Sequence, residues 1–212
     1  VLYFKFNKWL YLYSIIAAVL LLSRYLFAMF YKPVPVDKNF TPPVTIIIPC
    51  FNEETWIRRT IISCLNQDYP VDSLEVIVID DCSTDKSLEV VKATIAELSE
   101  KEARYKVAER LSYFKQPQNA GKREAMAVGA KLAKHDLLVF VDSDSFLNPY
   151  AIVNLVQPFK DKDMGGVSGR TDVANTYTNG LTKMQAVRYY ISFRVMKAAE
   201  AYFDAVTCLS GP

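Results

Sequence analysis

Two aspartates spaced one residue apart, Asp142 and Asp144, follow a run of apolar residues at 137–141. Carboxylates at the end of a parallel strand lie where open α/β sheets bind ligands. An Mg²⁺ held by one or two carboxylates shares its other coordination positions with substrate phosphates. The pair therefore predicts a site for Mg²⁺ or Mn²⁺ and a nucleoside diphosphate. A simple turn before a helix is the alternative.

Strand-like and helix-like segments alternate along the rest of the chain. Apolar runs between polar breakers predict four strands, at 44–49, 74–80, 111–115 and 137–142. Helical spacing predicts helices near 53–67, 84–101 and 120–134. This alternation predicts βαβ units and a mostly parallel sheet. Polar clusters follow the strands, at 50–54, 80–85, 118–124 and 142–144. They would line one edge of the sheet.

The composition limits the possible functions. With 212 residues, 51% of them hydrophobic, the chain can bury a full core and is expected to hold one domain or a domain with an appendage. Its 25 basic and 23 acidic residues are interspersed, so the sequence has no basic stripe for nucleic acid, and we expect no nucleic-acid partner. Four cysteines (Cys50, Cys64, Cys82 and Cys208) show neither CxxC spacing nor a disulfide framework. This favours reduced thiols in a domain that faces the cytosol.

The first thirty residues form a separate apolar segment. As a helix, Trp9–Tyr31 is long enough to cross about 30 Å of hydrocarbon, and aromatic residues lie near both ends. Only Arg24 interrupts it, and its side chain could extend toward the interface beside Lys32. The segment predicts a transmembrane or interfacial anchor at 1–31, with a signal peptide and a buried helix as alternatives. Prolines then predict a stiff linker at 32–43.

Four segments carry a resemblance to a known family: Val44–Glu54, Val78–Asp85, Asn119–Arg123 and Asp142–Asp144. In order and spacing they resemble the nucleotide-sugar motifs of the family 2 inverting glycosyltransferases with a GT-A fold. More narrowly, 185–193 and 198–212 resemble hyaluronan synthases and their chitin synthase and nodulation N-acetylglucosaminyltransferase relatives. The resemblance covers 44–212. It implies an α/β, Rossmann-like GT-A domain with a mostly parallel sheet and helices on both faces.

The resemblance also implies roles around a UDP-sugar donor. Glu53 and Asp81 would contact the uridine, since carboxylates accept hydrogen bonds from the uracil imide and from ribose hydroxyls. Lys122 and Arg123, at the start of a helix, would hold the diphosphate. A first-turn acid is the alternative reading of Glu53, and a solvated basic pair is that of Lys122 and Arg123.

The remaining positions concern the metal ion and the two sugars. Asp144 would coordinate Mg²⁺ or Mn²⁺ directly, with Asp142 nearer the ribose or a metal-bound water. The other substrate-binding residues implied by the resemblance are Pro49, Asn52, Asp142, Cys208, Ser210 and Gly211. The last three of these would lie beside the acceptor sugar, although Cys208 also fits a buried small hydrophobe.

An inverting transfer needs a general base to deprotonate the acceptor hydroxyl. The family supplies it from a Thr/Glu-Glu/Asp-Asp motif, followed by a Gln-x-x-Arg-Trp motif, and neither occurs in this sequence. Because the chain begins with Val1 and stops at Pro212, we expect a fragment whose catalytic base lies beyond Pro212. Residues 164–175 predict a further strand and bend, and 179–203 predict an amphipathic helix.

The expected function is that of a hyaluronan synthase-like transferase that extends a β-linked polysaccharide from UDP-N-acetylglucosamine, UDP-glucuronate or both. It would be integral to the cell membrane, contact lipid and have a cytosolic catalytic domain. The alternatives within the family are a chitin, N-acetylglucosaminyl or cellulose-type synthase and a non-processive enzyme. A haloacid-dehalogenase-type phosphohydrolase, with an aspartate as nucleophile, and an inactive binding module are more distant alternatives.

Overall fold

A parallel sheet organises the larger part of the chain. The structure is a computed structural model that describes residues 2–101 and 105–206. Its strands are β1 (Val44–Cys50), β2 (Leu74–Asp80), β3 (Leu111–Lys115) and β4 (Leu137–Phe140). All pairings are parallel, in the order β3-β2-β1-β4. The predicted strands are confirmed, although β4 ends two residues earlier than expected.

Helices alternate with these strands along the chain. They are α2 (Ile57–Leu65), α3 (Ser87–Lys101), α4 (Val107–Arg110), α5 (Lys122–Leu132) and α6 (Ala151–Leu155), after an N-terminal α1 (Leu2–Ala28). From β1 the chain moves outward to β2 and β3, and it then returns to place β4 on the other side of β1. The order therefore reverses between β1 and β4. In open α/β sheets, ligands bind in the crevice at such a switch point.

Both faces of the sheet are covered by helices, because β1 and β2 are apolar at every second position on each side. Ile46 and Ile48 pack into one cluster with residues of α2 and α3. Ile47 and Ile79 pack into the opposite cluster with residues of α5. Every residue of β1 and β2 is buried, as expected for central parallel strands. This arrangement fixes the carboxyl ends of the strands at one rigid edge.

Gly129 lets α5 approach the sheet closely. A methyl group there would overlap the fully buried Ile47 side chain and lie 3.2 Å from Ile79 Cγ1. We expect Gly129→Val to lower the free energy of unfolding by about 2 kcal/mol, because overpacking a filled core forces strain. Chemical denaturation of the detergent-solubilised protein measures the change. Ala127→Val on the exposed side of α5 is the matched control, and an equal effect in both variants would contradict close packing at Gly129.

A buried glutamate lies at the opposite, amino-terminal edge of the sheet. Glu75 accepts hydrogen bonds from Thr45 Oγ1 (2.7 Å) and from the Lys134 backbone N–H (2.9 Å), and it pairs with the Lys134 ammonium (3.2 Å). Burial raises the pKa of Glu75, but these contacts outweigh burial and hold its pKa below the ordinary value. The Glu75 carboxylate thus finds its hydrogen-bond and charge partners within the protein. Glu75 therefore has a structural role, distinct from the acids at the other edge.

The chain divides into two compact units. The sheet unit is Pro35–Gly165, and the helical unit combines Val1–Val34 with Gly166–Pro212. The sequence-based division instead places 44–212 in one domain. Residues 35–43 have no regular secondary structure, but they are held to the sheet unit. Asp37 N–H donates to Gln157 Oε1 (3.1 Å), and the Asp37 carboxylate pairs with Lys160 (2.9 Å).

In the helical unit, α1 contains a candidate membrane span, Asn7–Ala28, with a mean hydropathy of 1.8 and an unburied surface. A second helix comprises α7 (Gly180–Ile191), a π-helical segment (Ser192–Lys197) and α8 (Ala198–Tyr202), which confirms the helix predicted near 179–203. The Asn179 side chain accepts a hydrogen bond from Thr182 N–H and caps its start. The Arg24 guanidinium pairs with the Glu200 carboxylate at 3.4 Å.

The strand predicted within 164–175 is wrong, because this segment contains no strand. The segment contains Gly165, Gly166 and Gly169, and glycine disfavours extended strands because it loses more conformational entropy than other residues. None of the described strands pairs with it. The apolar residues between the glycines were therefore an insufficient basis for the prediction.

Candidate functional site

Asn52 helps to join the loop after β1 to the loop after β2. Asn52 adopts a left-handed backbone (φ 56°). Its side-chain oxygen accepts a hydrogen bond from Thr84 N–H (2.8 Å), and its own N–H donates to Ser83 Oγ (3.1 Å). Glu53 N–H donates to Ser87 Oγ at 2.7 Å. These contacts fix the backbone from which the Glu53 side chain projects.

The carboxylate of Asp81 holds the loop that precedes α5. Asp81 is buried, and it accepts hydrogen bonds from Gln116 Nε2 (2.7 Å), Ala120 N–H (2.9 Å) and Gly121 N–H (2.7 Å). Gly121 has φ +89°, a backbone conformation that residues other than glycine rarely adopt. Asp81 thereby positions the first turn of α5, which carries Lys122 and Arg123. Its predicted contact with uridine stays a prediction.

The loop after β4 is held by α2. Thr60 Oγ1 donates to the Ser143 carbonyl (2.7 Å), and Leu147 N–H donates to Ser63 Oγ (3.1 Å). The Arg59 guanidinium lies 3.9 Å from the centre of the Phe146 ring. The loop that carries both aspartates is therefore anchored between and after them. Asp144 is exposed, whereas Asp142 is half-buried.

Charged groups from three strand ends meet at the switch point between β1 and β4. Lys122 Nζ forms an ion pair with Asp142 Oδ1, which links the start of α5 to the loop after β4. The pKa of Glu53 is raised, first by burial and then by the negative charges of Asp144 and Asp85. Glu53 and Asp144 are therefore close enough to repel each other. The structure thus brings Glu53, Lys122, Asp142 and Asp144 together at the carboxyl edge of the sheet.

The other predicted site residues lie around this cluster or outside the described chain. Arg123 is exposed on the first turn of α5, beside Lys122. Pro49 is buried inside β1, where it pairs with Ile79 of β2. The predicted acceptor residues Cys208, Ser210 and Gly211 lie outside the described residues.

The donor set suits a cation that is bound jointly with a diphosphate. Within residues 2–101 and 105–206, no three His, Cys, Asp or Glu side chains are grouped so that they could hold a metal ion. Asp144 and Asp142 would supply two carboxylates, and Mg²⁺-type sites with so few protein ligands complete their coordination with phosphates and water. The residues present therefore fit Mg²⁺ or Mn²⁺ together with a nucleotide.

The sequence profile described as "Glycosyl transferase family 2" matches residues 45–211. The chain belongs to this family. Among its relatives, the N-acetylglucosaminyltransferase of Rhizobium meliloti (strain 1021) is 30% identical over 208 residues, which cover 94% of this chain and 46% of the relative. The N-acetylglucosaminyltransferase of Mesorhizobium japonicum is 33% identical over 175 residues, covering 81% of this chain and 38% of the relative. This family 2 chain thus spans less than half the length of these relatives.

A solved structure supports the same fold. The mannosyltransferase PcManGT from Pyrobaculum calidifontis, in complex with GDP-Man and Mn²⁺, matches with a TM-score of 0.61 and 28% sequence identity. The match covers 74% of this chain and 44% of that protein. Together with the family 2 profile, this match confirms the predicted GT-A type of α/β fold. The phosphohydrolase alternative receives no support.

Several residues that build the site were missed by sequence reasoning. Gln116, Ser83, Thr84 and Thr60 all bind residues that are 31 to 83 positions away in the sequence. A lone serine, threonine or glutamine gives no local pattern that predicts such a contact. Ser83 and Thr84 lie in the polar cluster at 80–85, which was a signal, whereas Gln116 and Thr60 lie outside the predicted clusters.

Proposed function

We propose that this family 2 chain binds a UDP-sugar and a divalent cation at the carboxyl edge of its sheet. We further propose that it belongs to a membrane-anchored inverting transferase that adds N-acetylglucosamine to a β-linked acceptor. The observation that carries this proposal is the meeting of Glu53, Lys122, Asp142 and Asp144 at the switch point. The relatives named N-acetylglucosaminyltransferase support the choice of sugar. The neighbour solved with GDP-Man and Mn²⁺ supports the choice of a nucleotide sugar and a cation.

The diphosphate would be held by the first turn of α5. Lys122 and Arg123 are two cations beside the free backbone amides and the positive end of the helix dipole. Asp81 fixes this turn through the N–H groups of Ala120 and Gly121. The two amides that donate to Asp81 precede α5, so the amides at the start of α5 itself would stay available to a bound anion.

The ion pair between Lys122 and Asp142 couples the two ligands. In this structure the ammonium occupies an oxygen of Asp142 that a cation would otherwise use. A diphosphate carries more negative charge than one carboxylate, so it would attract the Lys122 ammonium and release Asp142. The cation would be held by Asp144 and Asp142. When bound, it would supply positive charge that stabilises the departing diphosphate.

Glu53 would recognise the nucleoside. A carboxylate accepts the imide N–H of uracil, and cytosine has no such donor at that ring position. Burial and the charges of Asp144 and Asp85 raise the pKa of Glu53. A cation bound nearby would have the opposite effect, because its positive charge favours the ionised carboxylate. We place the base that deprotonates the acceptor outside the described residues. The described ones would therefore bind and orient the donor.

The donor is tested by incorporation of radiolabel in membranes that contain the full-length protein. We expect label from UDP-N-acetylglucosamine alone to enter a β-linked product. A requirement for UDP-glucuronate as a second donor would instead favour a hyaluronan-type polymer. Loss of incorporation with both donors, in membranes where the protein still binds UDP with Mn²⁺, would contradict transfer of these sugars.

The membrane anchor is part of the same proposal. The support is the candidate span Asn7–Ala28, whose surface is unburied in the structure. We propose that α1 is integral to the cell membrane and that the sheet unit faces the cytosol, where nucleotide sugars are available. Resistance of the protein to alkaline carbonate extraction tests the anchor, and release without detergent would contradict it.

A further inference from the structure

A long segment of the helical unit contains basic residues but no acidic ones. Between Asp172 and Glu200 the sequence has four basic residues and no acidic one. Lys197 pairs with Glu200 at 3.0 Å. The other three, Lys183, Arg188 and Arg194, are exposed and have no ion-pair partner among the residues that the structure describes. Three uncompensated positive charges on one helix predict an anionic partner.

The same helix exposes large apolar side chains. Leu181 is 75% exposed and Met184 is 71% exposed. Leu181, Met184 and Arg188 follow an i, i+3, i+7 spacing in α7, so they lie on one face. We call this set the basic face, and Lys183 and Arg194 add exposed positive charge elsewhere on the same helix. Exposed apolar residues flanked by basic ones are typical of helices that lie on anionic membranes.

The helix is attached to the end of the candidate span. The Phe27 ring of α1 stacks on Tyr202 (5.8 Å between centres) and meets the edge of Phe203 (4.6 Å). The Arg24–Glu200 pair lies in the same contact. Because the apolar stretch of α1 ends at Ala28, this contact lies where the headgroup region of a bilayer would begin. The aromatic residues there fit the interfacial belt of membrane helices.

An open groove connects the two helices. It has a volume of about 380 Å³ and is lined by Tyr25, Leu26, Ala28, Met29, Arg194 and Val195. Its lining is mostly apolar, and Arg194 is the charged residue in it. Such a lining can accept an acyl chain along its walls and a phosphate at the guanidinium, which binds phosphate oxygens with two parallel hydrogen bonds.

We infer that the groove and the basic face bind anionic phospholipid. This inference rests on the membrane anchor in the proposed function and goes beyond the sugar-transfer site. Charge decides the occupant: a zwitterionic lipid leaves three bases uncompensated, and a second copy would bring another basic face to this one. The continuity with the end of α1 places the groove at the depth of phosphate headgroups.

The inference is tested by lipid binding to the purified protein in neutral detergent. Short-chain fluorescent phosphatidylglycerol and phosphatidylcholine are titrated, and anisotropy gives the Kd of each. We expect phosphatidylglycerol to bind at least about tenfold more tightly, since each Lys or Arg near an anionic headgroup contributes about fivefold. Equal Kd values for the two lipids would overturn the inference.

Variants identify the residues involved. Arg194→Ala should weaken phosphatidylglycerol binding about fivefold and leave phosphatidylcholine binding unchanged, whereas Arg194→Lys should retain most of the preference. Lys162→Ala, which removes an exposed lysine of the sheet unit, is the matched control. Equal effects of Arg194→Ala and Lys162→Ala would contradict the site. If Arg194→Ala does not fold, Lys183→Ala gives the same comparison.

Failure of the two proposals can be told apart in the same samples. Mn²⁺-dependent UDP binding reports on the sheet unit and should be unchanged in Arg194→Ala. Loss of the lipid preference with intact UDP binding overturns only this inference. Lipid preference without UDP binding overturns only the proposed nucleotide site.

Discussion

Asp144→Asn is expected to reduce sugar transfer about a thousandfold and to abolish cation-dependent binding of UDP, because a neutral amide oxygen is a much weaker ligand of Mg²⁺ or Mn²⁺ than a carboxylate. Asp144 is exposed in its loop, so the variant should fold normally. Titration calorimetry with UDP, in the presence and absence of Mn²⁺, measures the loss of binding. Transfer is measured in membranes with the full-length protein.

Asp136→Asn is the matched control for this substitution. Asp136 is also exposed, but it precedes β4, at the opposite edge of the sheet from the loop that carries Asp144. The control should therefore retain both activities. Retention of Mn²⁺-dependent UDP affinity in Asp144→Asn would show that the cation binds elsewhere.

Lys122→Met is expected to change the affinities for the two ligands in opposite directions. UDP binding should weaken about tenfold or more, because a charge-assisted contact to the diphosphate is lost. Mn²⁺ binding without nucleotide should strengthen, because Asp142 loses its ammonium partner. Calorimetric titration of Mn²⁺ alone and of UDP at saturating Mn²⁺ measures both effects.

Lys131→Met, in the last turn of the same helix, controls for the removal of one positive charge. It should change neither affinity by more than about twofold, since exposed charges at that distance are screened by salt. If Lys122→Met weakens Mn²⁺ binding and UDP binding equally, the Lys122 ammonium and the cation do not compete for Asp142.

The strands could be predicted because their residues are buried on both faces. Ile46, Ile47 and Ile48 are consecutive and all fully buried, so a short continuous apolar run was a sufficient signal. The parallel order then placed every polar cluster at one edge. The position of the Asp142–Asp144 loop near Glu53 also requires β4 to pair with β1, and the sequence did not predict that strand order.

The contacts within the site could not be predicted in the same way. Asp81 accepts from backbone amides at 120 and 121, and nothing in its own neighbourhood distinguishes that role from nucleoside binding. The ion pair of Lys122 with Asp142 depends on the folded distance between two loops. The absent strand within 164–175 illustrates a related limit, since a strand forms only where a partner strand offers its backbone groups.

The sheet order also determines which margin of the sheet lies beside the two aspartates. Within the described residues, β4 pairs only with β1, so its outer side is the margin nearest to Asp142 and Asp144. A strand added there would place its end one strand spacing, about 4.8 Å, from their loop. A strand added beyond β3 would lie more than about 14 Å from β1 and on its far side. A peptide segment that pairs with the outer side of β4 would therefore come close to Asp142 and Asp144, whereas one that pairs with β3 would not.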